Sequence, residues 1–135
     1  MAIVIIGVFV VYWLPESAVA EIGTLALMGV VFQMLAHALS ASGLFGGFGM
    51  LYRRLHTRKL DDFGGVAKTM PVFSTLFVCI ALNNIALPGT SAFIGEFFIA
   101  LATFQAHPLL ALVSVTSLLV TAMYTLQMIK RLFFG

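Results

Sequence analysis

An all-α, polytopic membrane helix bundle of about four transmembrane helices is the fold class this sequence predicts. Three observations carry it. Of 135 residues, 61% are hydrophobic and only 9% are charged, where soluble domains run to about a quarter charged. The mean hydropathy is +1.11. The apolar residues gather in four stretches, and every Lys and Arg falls in the segments expected on one side of them. The bilayer is therefore the main solvent for a single transmembrane domain over residues 1–135.

The first stretch, residues 1–14 (MAIVIIGVFVVYWL), ends in Tyr12 and Trp13, which suit an interfacial position. Fourteen residues of helix span about 21 Å, short of about 30 Å of hydrocarbon, so this helix is expected to be partial or to lack its beginning. It carries no basic n-region, and no signal peptide is expected. Pro15-Glu16-Ser17 makes a turn. The second stretch covers residues 18–52, with no formal charge between Glu21 and Arg53 and with His37 at its midpoint. Small residues recur every fourth position at Ala38, Ser42 and Gly46, and again at Gly43 and Gly47. This spacing lets helix backbones approach closely in lipid. Residues 53–70 form the one markedly polar loop. The third stretch covers 71–105 and the fourth 108–134.

If each stretch crosses once, the 53–70 loop and the C-terminal end share a side. Arg53, Arg54, Arg58, Lys59, Lys68, Lys130 and Arg131 all lie there, while the opposite turns carry Glu16 and Glu21 and no basic residue. This seven-to-zero division is a positive-inside pattern and places the basic side toward the cytoplasm, matrix or stroma.

The third stretch is too long to cross straight. Thirty-five residues of helix would extend about 52 Å. The sequence supplies a break over residues 88–91: Pro88 removes a backbone donor, Gly89 permits unusual backbone angles, and Thr90 or Ser91 can cap the half-helix that follows. Asn83 and Asn84 are expected to satisfy backbone groups freed there. Interrupted helices of this kind mark ion and substrate pathways in transporters.

Glu96 is the only formal charge between Lys68 and Lys130. At a headgroup layer it would do little. Buried in low dielectric, where a bare charge is disfavoured, it becomes a protonatable group on a proton pathway, and Gly95 beside it lets a partner helix or water come close. His37 is read as either a hydrogen-bonded core residue or a second member of that pathway, with Ser40 and Ser42 able to hold water nearby. His56 and His107 are expected to be solvated. The lone Cys79 excludes an internal disulfide and a cysteine metal site. No phosphate-binding loop, dinucleotide fingerprint, haem or zinc spacing, or nucleophile triad is present, so neither a catalytic residue nor a metal site is assigned. The scattered basic loop suits lipid headgroups or a protein partner, and no nucleic-acid partner is expected.

The motifs QMLAHALSASGLF at 33–45, LYRRLHTR at 51–58, FGG at 63–65 and LPGTSAFIGEF at 87–97 resemble, in order and spacing, the M-type (chain 4) subunits of proton-pumping NADH-quinone oxidoreductase, respiratory complex I. The resemblance covers about residues 30–135; residues 1–29 fit by hydropathy. It implies a fourteen-helix antiporter-like subunit, of which this chain supplies the tenth to thirteenth helices. It also implies that Pro88 marks the break in the twelfth helix, that Glu96 is that helix's glutamate on the proton exit route, and that His37 is a histidine of the central polar axis. It implies no cofactor in this chain, with FMN, iron–sulfur clusters and quinone held by other subunits. The implied partners are L- and N-type membrane subunits and the lipid bilayer, in a bacterial or organellar inner membrane. Two departures stand out. Arg53-Arg54 follows Tyr52 where the family usually has Glu-Arg, and the first helix repeat with its ion-paired glutamate and lysine is absent. A fragment or split gene product, inactive alone, is therefore expected. The related L-type subunit and the Mrp cation antiporters share the fold, but typically follow the histidine with Phe-Phe-Lys where Leu39-Ser40-Ala41 stands here; a subunit of a cation/proton antiporter or of a membrane-bound hydrogenase is the alternative transport reading. A membrane scaffold without transport would leave Glu96 and His37 facing lipid or headgroups.

Overall fold

The computed structural model describes residues 2–56 and 64–134. Within them every regular element is helical. Helix α1 (Ala2–Trp13) ends at Pro15, whose extended backbone (φ −63°, ψ 149°) turns the chain. A single turn, α2 (Glu16–Ala18), passes through a π-helical turn (Val19–Gly23) into α3 (Thr24–Leu55). Left-handed His56 (φ 51°) closes α3, its N–H donating to the Tyr52 carbonyl at 2.8 Å. A short α4 (Val66–Thr69) precedes α5 (Pro71–Asn84). Then come α6 (Ser91–Ala106), α7 (Pro108–Ile129) and a closing π-helical turn (Lys130–Phe134). Pro71 and Pro108 each sit at the first helical position, where the missing N–H has no partner to lose.

The segment expected as a polar loop over 53–70 is helical at both margins, in the last turn of α3 and in α4. Arg58 and Lys59 of that loop lie outside the described residues.

The third stretch is broken. Helix ends at Asn84 and resumes at Ser91, so the gap begins three residues before the expected 88–91 and Ser91 is already helical. Pro88 explains the shift. It offers no N–H to the Asn84 carbonyl, and its ring would strike that carbonyl if the helix continued. Ala86 (φ 52°) and Gly89 (φ 99°) take left-handed backbone in the gap. The freed donors find partners: Ile85 N–H bonds Ala81 O, Ala86 N–H bonds Asn83 O, Leu87 N–H bonds Leu82 O, and Thr90 N–H bonds Leu87 O. Backbone that leaves the helix at membrane depth needs this internal satisfaction. Neither Thr90 nor Ser91 caps α6. The Thr90 hydroxyl turns back to Leu87 O at 2.7 Å, and Asn83 takes the role instead. Its Oδ1 accepts from the Ser91 hydroxyl at 3.0 Å and from Ala92 N–H at 3.2 Å, while its Nδ2 donates to the Ser40 hydroxyl. One side chain thus ties α5, α6 and α3 together.

Helix α6 is central, packing against α1, α3 and α7. Two ends of the bundle can be told apart. At one, Trp13 meets His107 edge-on with ring centroids 4.7 Å apart, which brings the end of α1 to the α6–α7 turn. At the other, Leu51, Val66, Phe77, Ala81, Ile129, Leu132 and Phe133 form an apolar cluster near Arg53, Lys68, Lys130 and Arg131.

Of the two small-residue rows on α3, one is filled. A Cβ at Gly43 would lie 3.0 Å from Ile80, and one at Gly47 would lie 2.6 Å from the Phe77 ring. Ala38, Ser42 and Gly46 are exposed, and among the described residues nothing lies within 4 Å of a Cβ built at Gly46.

Candidate functional site: a carboxyl–amide pair in a polar cleft

Glu96 lies five residues into α6, about 7.5 Å along the axis from its start. It is 8% exposed, and Gln33 of α3 facing it is 6% exposed. The Gln33 Nε2 donates to Glu96 Oε1 at 3.0 Å. Glycines make this contact possible. A Cβ on Gly95 would sit 2.8 Å from both the backbone nitrogen and the Oε1 of Gln33; one on Gly29 would sit 3.0 Å from the Gly95 carbonyl oxygen. The expectation that Gly95 admits a close neighbour is met by α3 itself. Gln33 Oε1 and Glu96 Oε2 are both buried without a hydrogen-bond partner among the described residues.

The pair opens on a cleft of about 180 Å³, lined by Gln33 and His37 of α3, Asn84 and Ile85 at the break, Glu96 of α6, and Ser117, Thr121 and Tyr124 of α7, with Ala2 and Ile3 closing one wall. A space of that size and polarity has room for several water molecules. His37 is half-buried and shares the cleft with Glu96. A carboxyl, an imidazole and three hydroxyls around one such space can pass protons by hydrogen bonding.

Not every singled-out residue belongs to this cleft. The break reaches it through Asn84 and Ile85, whereas Pro88, Gly89, Thr90 and Ser91 shape the backbone away from it. Ser40 bonds Ala36 O and accepts from Asn83, and Ser42 bonds Ala38 O on an exposed face, so neither serves the cleft as expected. His107 is exposed but engages Trp13. Gln33, Ser117, Thr121 and Tyr124 were not singled out from sequence. Gln33 had a signal, since it stands one helical turn before His37 and shares its face.

Residues 8–122 match the family model described as NADH:quinone oxidoreductase/Mrp antiporter, TM. The chain belongs to this family. Its relatives include NADH-quinone oxidoreductase subunit M of Rickettsia prowazekii (strain Madrid E), 37% identical over the whole chain and 25% of the relative. NADH-ubiquinone oxidoreductase chain 4 of Acanthamoeba castellanii is 40% identical over the same shares. Subunit M of Escherichia coli (strain K12) is 40% identical over 82% of this chain and 22% of its own. The chain therefore spans about a quarter of the length of the curated relatives it matches. Membership in this transmembrane family, together with the apolar helices, makes the chain a polytopic membrane protein.

Proposed function

We propose that this chain forms part of the proton-translocating M-type subunit of NADH-quinone oxidoreductase, seated in a bacterial or organellar inner membrane beside L- and N-type subunits. Glu96 is the proton-carrying group, and His37 exchanges protons with it through the shared cleft. Electron transfer from NADH to quinone, on FMN and iron–sulfur clusters held by other subunits, drives the movement. The basic end, with Arg53, Arg54, Lys68, Lys130 and Arg131, faces the cytoplasm or matrix, and Glu96 releases its proton toward the Trp13–His107 end. The observation that carries this reading is the burial of Glu96 against Gln33 on the wall of a polar cleft that also holds His37. An intramembrane carboxyl is costly, and its upkeep goes with ion or proton movement. A scaffold that turned Glu96 toward lipid would not bury it.

The test is Glu96→Gln in the assembled complex. Proton pumping in reconstituted vesicles should fall severalfold per NADH oxidised while subunit assembly stays intact. Wild-type pumping by this variant would sink the reading.

A further inference from the structure

We propose that Gln33 locks Glu96 in its protonated form through a paired amide–carboxyl ring. The proposal rests on the reading of Glu96 as the proton carrier and names a positioning residue for it. Two buried oxygens on either side of the Gln33–Glu96 hydrogen bond, Gln33 Oε1 and Glu96 Oε2, have no bond of their own among the described residues. With Glu96 ionised, both are acceptors and neither can serve the other. A proton on Glu96 Oε2 changes that, because Oε2–H then donates to Gln33 Oε1 while Gln33 Nε2–H still donates to Glu96 Oε1. The single proton satisfies both orphaned atoms and closes a ring of two hydrogen bonds.

Leaving a buried polar atom unpaired is costly, so this contact is built for the neutral acid. Gly95 brings the Gln33 backbone and Oε1 directly against α6, which seats the amide beside Glu96. Among the described residues, the other titratable side chains lining the cleft are His37 from α3 and Tyr124 from α7. Release of the proton opens the ring and leaves Gln33 Oε1 bare, so Glu96 lets go when a group or water of the cleft takes the proton and supplies a donor in its place. Gln33 thereby keeps the carrier loaded between turnovers.

The experiment is infrared difference spectroscopy of the assembled complex in lipid membranes. Glu96→Gln should delete one protonated-carboxyl carbonyl band, which assigns it. Gln33→Met, similar in length but unable to pair, should move that band to higher frequency, as a carboxyl that has lost hydrogen bonds. Gln33→Asn, which withdraws the amide by one methylene, should move it the same way if the methionine variant fails to assemble. An unmoved band, or no band lost in Glu96→Gln, overturns the lock. The carrier reading is judged separately by vesicle pumping. A Glu96→Gln variant that stops pumping while the Gln33 variants leave the band in place keeps the carrier and removes the lock. A moved band with undiminished pumping in Glu96→Gln keeps the lock and removes the carrier.

Discussion

Helix α3 makes two close contacts with the broken helix, and they differ in kind. At its basic end, Gly47 receives the ring of Phe77, which also meets Phe48 edge-on at 5.2 Å and Phe133 at 5.3 Å. Nearer its start, Gly29 and Gly95 bring α3 and α6 almost to backbone contact around Gln33 and Glu96. Both sites use glycine to admit a neighbour. The first is apolar and complete, with Phe77 1% exposed. The second keeps two polar atoms unpaired beside a cleft. In lipid, apolar side chains gain little from leaving their solvent, so packing itself must hold helices together. The aromatic contact supplies such packing, and the polar one gives some of it up to hold an ionisable group.

Mutations can separate these roles. The largest stability effect should come from Phe77→Ala, which opens a cavity in the aromatic cluster. Lipid solvates the lost ring nearly as well as the core does, so a cost of about 3 kcal/mol, the low end for such truncations, is expected. It should appear as a lowered melting temperature in detergent, with pumping per assembled complex unchanged. Glu96→Gln should do the reverse, and similar melting losses in both would erase the contrast. Gly95→Ala comes next. Its new Cβ meets the Gln33 backbone, which cannot swing aside as a ring can, and overpacking should cost about 1–3 kcal/mol. Gly47→Ala meets only the Phe77 ring and should cost less in the same melting experiment. Asn83→Ala removes the cap of α6 and the link to Ser40, at about 1 kcal/mol, seen as faster amide hydrogen exchange at Ala92 than in the wild type. Gly46→Ala is the smallest. With no neighbour among the described residues, it should leave folding unchanged or improve it by up to about 1 kcal/mol through helix propensity.

Much of this arrangement was legible in the sequence. The broken third helix followed from a length that cannot cross straight and from Pro88, and Glu96 stood out because no other formal charge lies near it. What the sequence did not reveal depended on rotation. Gly46 and Gly47 are neighbours in the chain but point about 100° apart on a helix, and spacing alone cannot say which row meets α5. Gln33 escaped notice for another reason. An amide in an apolar run carries no charge to mark it, and its importance arises from Gly95, which is 62 positions away. The cap was misassigned to Thr90 or Ser91 because local patterns favour the residue at the helix start, whereas Asn83 reaches it from across the gap.

The Trp13–His107 contact has an optical consequence. Trp13 is the chain's single tryptophan, so the indole emission of this chain arises wholly at that end of the bundle, with an imidazole against the ring at 4.7 Å. The bundle thus carries a native fluorophore at the end where Glu96 is proposed to release its proton, and its emission reports whether the end of α1 stays packed on the α6–α7 turn.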